Sequence, residues 1–147
     1  LLLNDKIGVK SKRNLDEFDA PIPFEYDING IAKRRKENFK SIMVFMKENE
    51  EYFVPLKTND ELIENVPQTF PIIIKRGNRD KIYEIMNERG FGVVSLYHTM
   101  IEELRTKEHS EACWLSKHIM NLPVHQDCDS TEYSTMIDTL KEACNIT

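Results

Sequence analysis

Apolar residues recur at three- and four-residue steps from Ile28 onward, at Ile28, Ala32, Phe39, Ile42, Met43 and Met46. This period predicts a long amphipathic helix through INGIAKRRKENFKSIMVFMKE, with Asn29 as its N-cap. Upstream, FDAPIPFEYD carries Pro21 and Pro23, which hold the backbone extended, so residues 1–27 read as a lead-in or linker and 28–147 as the domain proper. Beyond the helix, PLKTNDELIENVPQTF reads as a strand end, a turn and an irregular segment between Pro55 and Pro67.

The period then changes. Phe70 to Lys75 is β-branched and continuously apolar, as expected of a strand buried on both faces, and Gly77 and Asn78 punctuate it. Asn78 is placed to cap a helix from Arg79 to about Arg89, with Ile82, Ile85 and Met86 on one face and Gly90 as the stop. FGVVSLY reads as a second strand and TMIEELRTK as a short helical or irregular excursion. Ser110 is expected to cap a helix through Trp114 and Lys117. HIMNL is a third strand halted by Pro123. Asp129 and Glu132 have the spacing of a capping box and open a last helix with Tyr133, Met136, Ile137, Leu140 and Cys144 on one side. The expected fold is α+β: a small, mostly antiparallel sheet covered by helices, chiefly on one face, with a long N-terminal linker helix.

Composition narrows the function classes. The 147 residues fit one domain. With 25 acidic against 20 basic residues the formal charge is −5, spread along the chain, so nucleic acid is not expected as a partner. No apolar run approaches the roughly 20 residues of a membrane span, and the chain reads as cytoplasmic. Cys113, Cys128 and Cys144 form no C-x-x-C pair, as expected of reduced thiols. A chain opening on Leu1 reads as a fragment of something longer.

LSKHIMNLPVHQDCD concentrates two histidines and a cysteine, yet it makes a poor metal site. Cys113 and His118 are five residues apart, about 140° around a helix, so they do not face one ion together with His125 and Cys128. No metal is expected. No cysteine sits in a nucleophile turn, and no phosphate-binding glycine motif is present. Arg35 falls on the apolar stripe of the first helix, where a guanidinium needs a partner, and is read as a buried or interface arginine. Tyr97 and His98 follow a strand, where side chains leave the sheet, and are read as candidate substrate-binding residues.

INGIAKRRKENF, FPIIIKRGNRDKIYEIMNERGFGVVSLYH and WLSKHIMNLPVHQDCDSTEYSTMIDTLKE together resemble the C-terminal small domain of DegT/DnrJ/StrS-type aminotransferases, over roughly Ile28 to Glu142. The matching pieces are Arg34, Arg35, Glu37 and Asn38; Pro71 to Ile74 with Arg79 and Asp80; and Leu115, Ser116, Leu122, Pro123 and His125. Where relatives continue to Y-x-P-x-H, this chain has YHTMIEE. The resemblance implies pyridoxal phosphate as cofactor of the full-length enzyme and none in the isolated chain. It places the Schiff-base lysine in a large domain of the same polypeptide and leaves this chain no catalytic residue. It also implies a homodimer and a role in closing the cleft over an amino-acid or sugar substrate. The alternative is a standalone α+β ligand-binding or regulatory module.

Overall fold

A computed structural model describes residues 27–56, 65–96 and 98–147. The expected linker, most of the irregular segment after Pro55, and Tyr97 lie outside the described residues. Helix α1 (Ile28–Lys47) is followed by strands β1 (Phe53–Pro55) and β2 (Thr69–Ile74), then helix α2 (Arg79–Glu88). Two 3-10 turns, Glu102–Leu104 and Lys107–His109, lead into helix α3 (Ser110–His118), which runs directly into β3 (Ile119–Pro123); α4 (Ser130–Ile146) completes the described chain. The sheet has the order β1-β2-β3 with both pairings antiparallel. The fold is α+β, as the periodicities indicate.

The register pairs Phe70 with Leu122, Ile72 with Met120 and Phe53 with Ile74, and so places all six on one face. Phe39, Ile42 and Met46 of α1, Ile82 and Met86 of α2, and Tyr133, Met136, Ile137 and Leu140 of α4 join them in one core. Strand β2 is not buried evenly on both faces. Phe70, Ile72 and Ile74 are buried, whereas Thr69, Pro71 and Ile73 are half-buried, because the three core helices cover only the first set.

Proline explains both ends of the ladder. In an antiparallel strand the N–H and C=O of one residue point to the same side. Pro71 accepts from Leu56 N at 3.0 Å but has no N–H to return, and β1 ends at Pro55. On the outer edge of β3, Ile119 N is taken by Leu115 O of α3 and Pro123 has no N–H, which leaves Asn121 to pair laterally. Val94 takes that position through bonds of 3.0 and 2.7 Å. Among the described residues of FGVVSLY, Phe91 to Leu96, there is therefore a single bridge and not the expected strand, although the composition favours one.

Two caps also differ from expectation. Asp27 caps α1 through a 2.8 Å bond from Gly30 N, ahead of Asn29, which is already helical. Ser110 is the first residue of α3 with helical dihedrals, because the preceding 3-10 turn delivers the chain already coiled and His109 occupies the cap position. Asn78 caps α2 and Asp129 with Glu132 forms a complete capping box on α4. Gly77 and Gly90 both take positive φ, and a Cβ at Gly77 would lie 2.6 Å from Thr147 Oγ1.

Candidate functional site

An open cleft of about 810 Å³ lies beside α3. His98 lies on it, as do Arg105 and Lys107 of the exposed 99–109 segment and Trp114, Lys117 and His118 of α3. Every charged side chain on its lining is basic, in a chain whose formal charge is −5. Trp114 and His118, one helical turn apart, stack with ring centroids 4.3 Å apart and planes 19° from parallel, giving the wall a flat face.

The two histidines share a bonding pattern. His98 Nδ1 lies 2.5 Å from Ser95 O and His118 Nδ1 lies 2.6 Å from Trp114 O. A carbonyl only accepts, so in both rings Nδ1 carries the proton, and Nε2 of the neutral imidazole is the accepting nitrogen. His98 lies on this cleft. His118, which the sequence places at the start of the third strand and the structure at the end of α3, joins it there across twenty residues of sequence.

Arg79 is the residue whose weight sequence reasoning missed. Only 7 % exposed, it donates from Nη2 to Ser116 O at 2.9 Å, from Nε to Lys117 O at 3.3 Å and from Nη1 to Ser95 Oγ, with Asp80 Oδ1 at 3.1 Å. Its only visible signal was its place in the string shared with the family.

Arg35 finds its partner inside the chain. Half-buried on α1, it donates from Nε to Gln126 Oε1 at 2.8 Å. One turn later Asn38, buried, donates to His125 O at 2.7 Å and Cys128 O at 3.0 Å. Tyr133 Oη accepts from His125 N at 2.9 Å. These three side chains hold the turn His125 to Cys128 against α1 and α4. The suspected ligand set is split: Cys113 and His118 line the cleft, whereas His125 and Cys128 belong to this turn. Among the described residues no group of three or more histidine, cysteine or acidic side chains is placed to hold a metal ion.

Burial pushes the Tyr133 phenol up to about 12 and the Cys144 thiol up to about 11, and it raises the Cys128 thiol, helped by Glu132. In all three the neutral form is the one the fold favours, so their contribution is full below the ordinary values of 9.0 and 10.0 and is lost as pH rises toward the folded values. The urea midpoint is therefore expected to hold up to about pH 9 and to fall by about pH 11, with Tyr133→Phe removing the upper part of the fall. Equal midpoints at both ends of that range contradict this.

Pyridoxal phosphate needs an enclosed lysine and an acid against its ring. The described residues do not supply them: Lys107 and Lys117 on the cleft are both exposed, and no carboxylate shares the lining. The fold and the cleft thus define an α+β unit with a ligand-sized, basic, aromatic-walled concavity and without the cofactor's own anchoring set. Residues 4–141 match the DegT/DnrJ/EryC1/StrS aminotransferase family, and the chain belongs to that family. No curated protein matches it. Among solved structures it is similar to E. coli GDP-4-keto-6-deoxy-D-mannose-3-dehydratase with bound hydrated PLP, at 16 % identity and a TM-score of 0.58, covering 76 % of this chain and 31 % of that one. It is also similar to the aminotransferase TlmJ from Streptoalloteichus hindustanus, at 12 % identity and a TM-score of 0.56, covering 80 % of this chain and 33 % of that one. The chain therefore spans about a third of the length of these structures. No helix among the described residues is long and apolar enough to cross a membrane.

Proposed function

We propose that residues 28–147 form the small, C-terminal domain of a cytoplasmic pyridoxal-phosphate-dependent aminotransferase. In this reading the domain closes the cleft over an amino-acid, sugar or small-ketone substrate and is not catalytic alone. The observation that carries it is the family match over residues 4–141 in a chain that spans only about a third of the solved structures it resembles. The poor fit of the described residues to the cofactor supports the same division of labour, in which the large domain of the same polypeptide holds pyridoxal phosphate; the family resemblance adds that the enzyme works as a homodimer. The cofactor supplies the electron sink for transamination. This chain's residues bind and orient, with His98, and Tyr97 beside it, contributing to the substrate wall and Arg35 serving near an interface.

His98→Ala, made in the polypeptide carrying both domains, is expected to raise KM about tenfold, the effect of losing one hydrogen bond of roughly 1.4 kcal/mol, with kcat changed less. Steady-state kinetics in which KM stays at the parent value remove His98 from the substrate wall.

A further inference from the structure

The separation of the two walls of the cleft is spanned by residues 99–109, whose only regular structure is two short 3-10 turns. The segment before His98 is tied to the sheet by the single Val94–Asn121 bridge, and residues 101–109, between the walls, are exposed throughout. Within that stretch Leu104 O accepts from Cys113 Sγ at 3.3 Å, a contact that ties α3 to the turn at Leu104 and not to His98. We infer that Arg79 is a positioning residue that sets this separation, its buried guanidinium binding both walls at once.

On one side Arg79 holds Ser95 through its hydroxyl, and the carbonyl of the same Ser95 receives His98 Nδ1. On the other it takes Ser116 O and Lys117 O. These are carbonyls of the last turn of α3, where helix geometry leaves them without intrahelical donors and gathers the negative end of the helix dipole. Arg79 thus acts as a C-cap supplied from another element, on the two carbonyls that lie between Trp114 and His118 of the stacked pair. Its own position is secure, because it opens α2, which is capped by Asn78 and anchored in the core by Ile82 and Met86. A guanidinium suits this task because its donors diverge in a rigid fork; a lysine in the same place would deliver a single ammonium to one wall or the other. Asp80 is mostly exposed, so it neutralises the charge from the rim and leaves the inward donors to the carbonyls and Ser95. The inference concerns geometry within this chain and stands apart from the assignment of the cofactor domain.

The test uses Arg79→Lys, Arg79→Met and Ser95→Ala in the 147-residue chain. Three readouts serve: the urea transition, long-range proton–nitrogen spectra of the histidine rings, and acrylamide quenching of Trp114, the chain's only tryptophan. Ser95→Ala is expected to relax the His98 ring from its single Nδ1–H form to a tautomer mixture while leaving Trp114 quenching and His118 unchanged. Arg79→Lys is expected to keep a cooperative transition but to disturb both walls, with His98 mixed and Trp114 more quenchable. His125, bonded at the far turn, serves as the internal control and stays unchanged in both. Arg79→Met is expected to go further in the same direction; if it does not fold, the other two variants decide. The inference is overturned if His98 keeps its parent pattern in both Ser95→Ala and Arg79→Lys, or if His125 moves together with His98, since that marks a general loosening of the fold.

Discussion

Phe70→Ala is expected to destabilise the chain by about 3–5 kcal/mol. The ring is 1 % exposed, lies opposite Leu122 on the central strand and meets Phe39 of α1 with centroids 4.6 Å apart. It is the point at which the sheet and the first helix lock together. Truncation loses the transfer free energy of the ring and leaves a cavity bounded by β-sheet on one side, where collapse is restricted. Domains of this size have about 5–15 kcal/mol to lose, so a large part of the total is at stake. The measurement is the urea midpoint by far-ultraviolet circular dichroism. Pro71→Ala, next in sequence but half-buried at the end of the β1 ladder, is the comparison and is expected to cost far less. Equal losses from the two substitutions refute the placement of the core on that face.

The second large effect is Asn38→Asp. The two side chains are nearly isosteric, but Asn38 donates to two carbonyls, His125 O and Cys128 O, and a carboxylate can only accept. The variant sets a buried negative charge against two acceptors and leaves the turn untied, a loss of about 3–5 kcal/mol near neutral pH, comparable to an uncompensated buried charge. The sign with pH distinguishes this from a general packing defect. Aspartate there has its folded pKa raised above the unfolded value, so the protonated acid is the tolerated form. The variant recovers relative to the parent as pH falls toward the ordinary carboxyl range, and its deficit is complete only above the folded pKa. Midpoints measured across the acidic range check this, and a deficit that stays constant with pH contradicts the donor role of Asn38.

What could be read from the chain followed the range of each interaction. The Asp129–Glu132 capping box and the Asn78 cap close within three residues, so their spacing carried the structure directly. The α4 stripe, Tyr133 to Cys144, was legible for the same reason, since a helix repeats its buried face locally. FGVVSLY was misread because its strand character depends on what β3 offers it, and there Pro123 and the α3 junction leave one residue to pair with. Arg35 was recognised as a cation in need of a partner, but Gln126 lies 91 residues away and could not be named. Arg79 was harder still: its partners are two main-chain carbonyls and a serine hydroxyl, groups that carry no charge pattern in a sequence. The convergence of His98 and His118 on one cleft depends on that same arginine and was invisible for the same reason.

The division of labour proposed for this family member is tested most directly by loading with pyridoxal phosphate. The 147-residue chain alone, and the polypeptide extended through its upstream coding region, are each incubated with the cofactor, freed of excess and examined for visible absorbance that borohydride abolishes, and for transamination. The account predicts that the extended polypeptide shows both and the 147-residue chain neither. Borohydride-sensitive absorbance with turnover in the isolated chain contradicts it, as does a folded extended polypeptide that retains no cofactor.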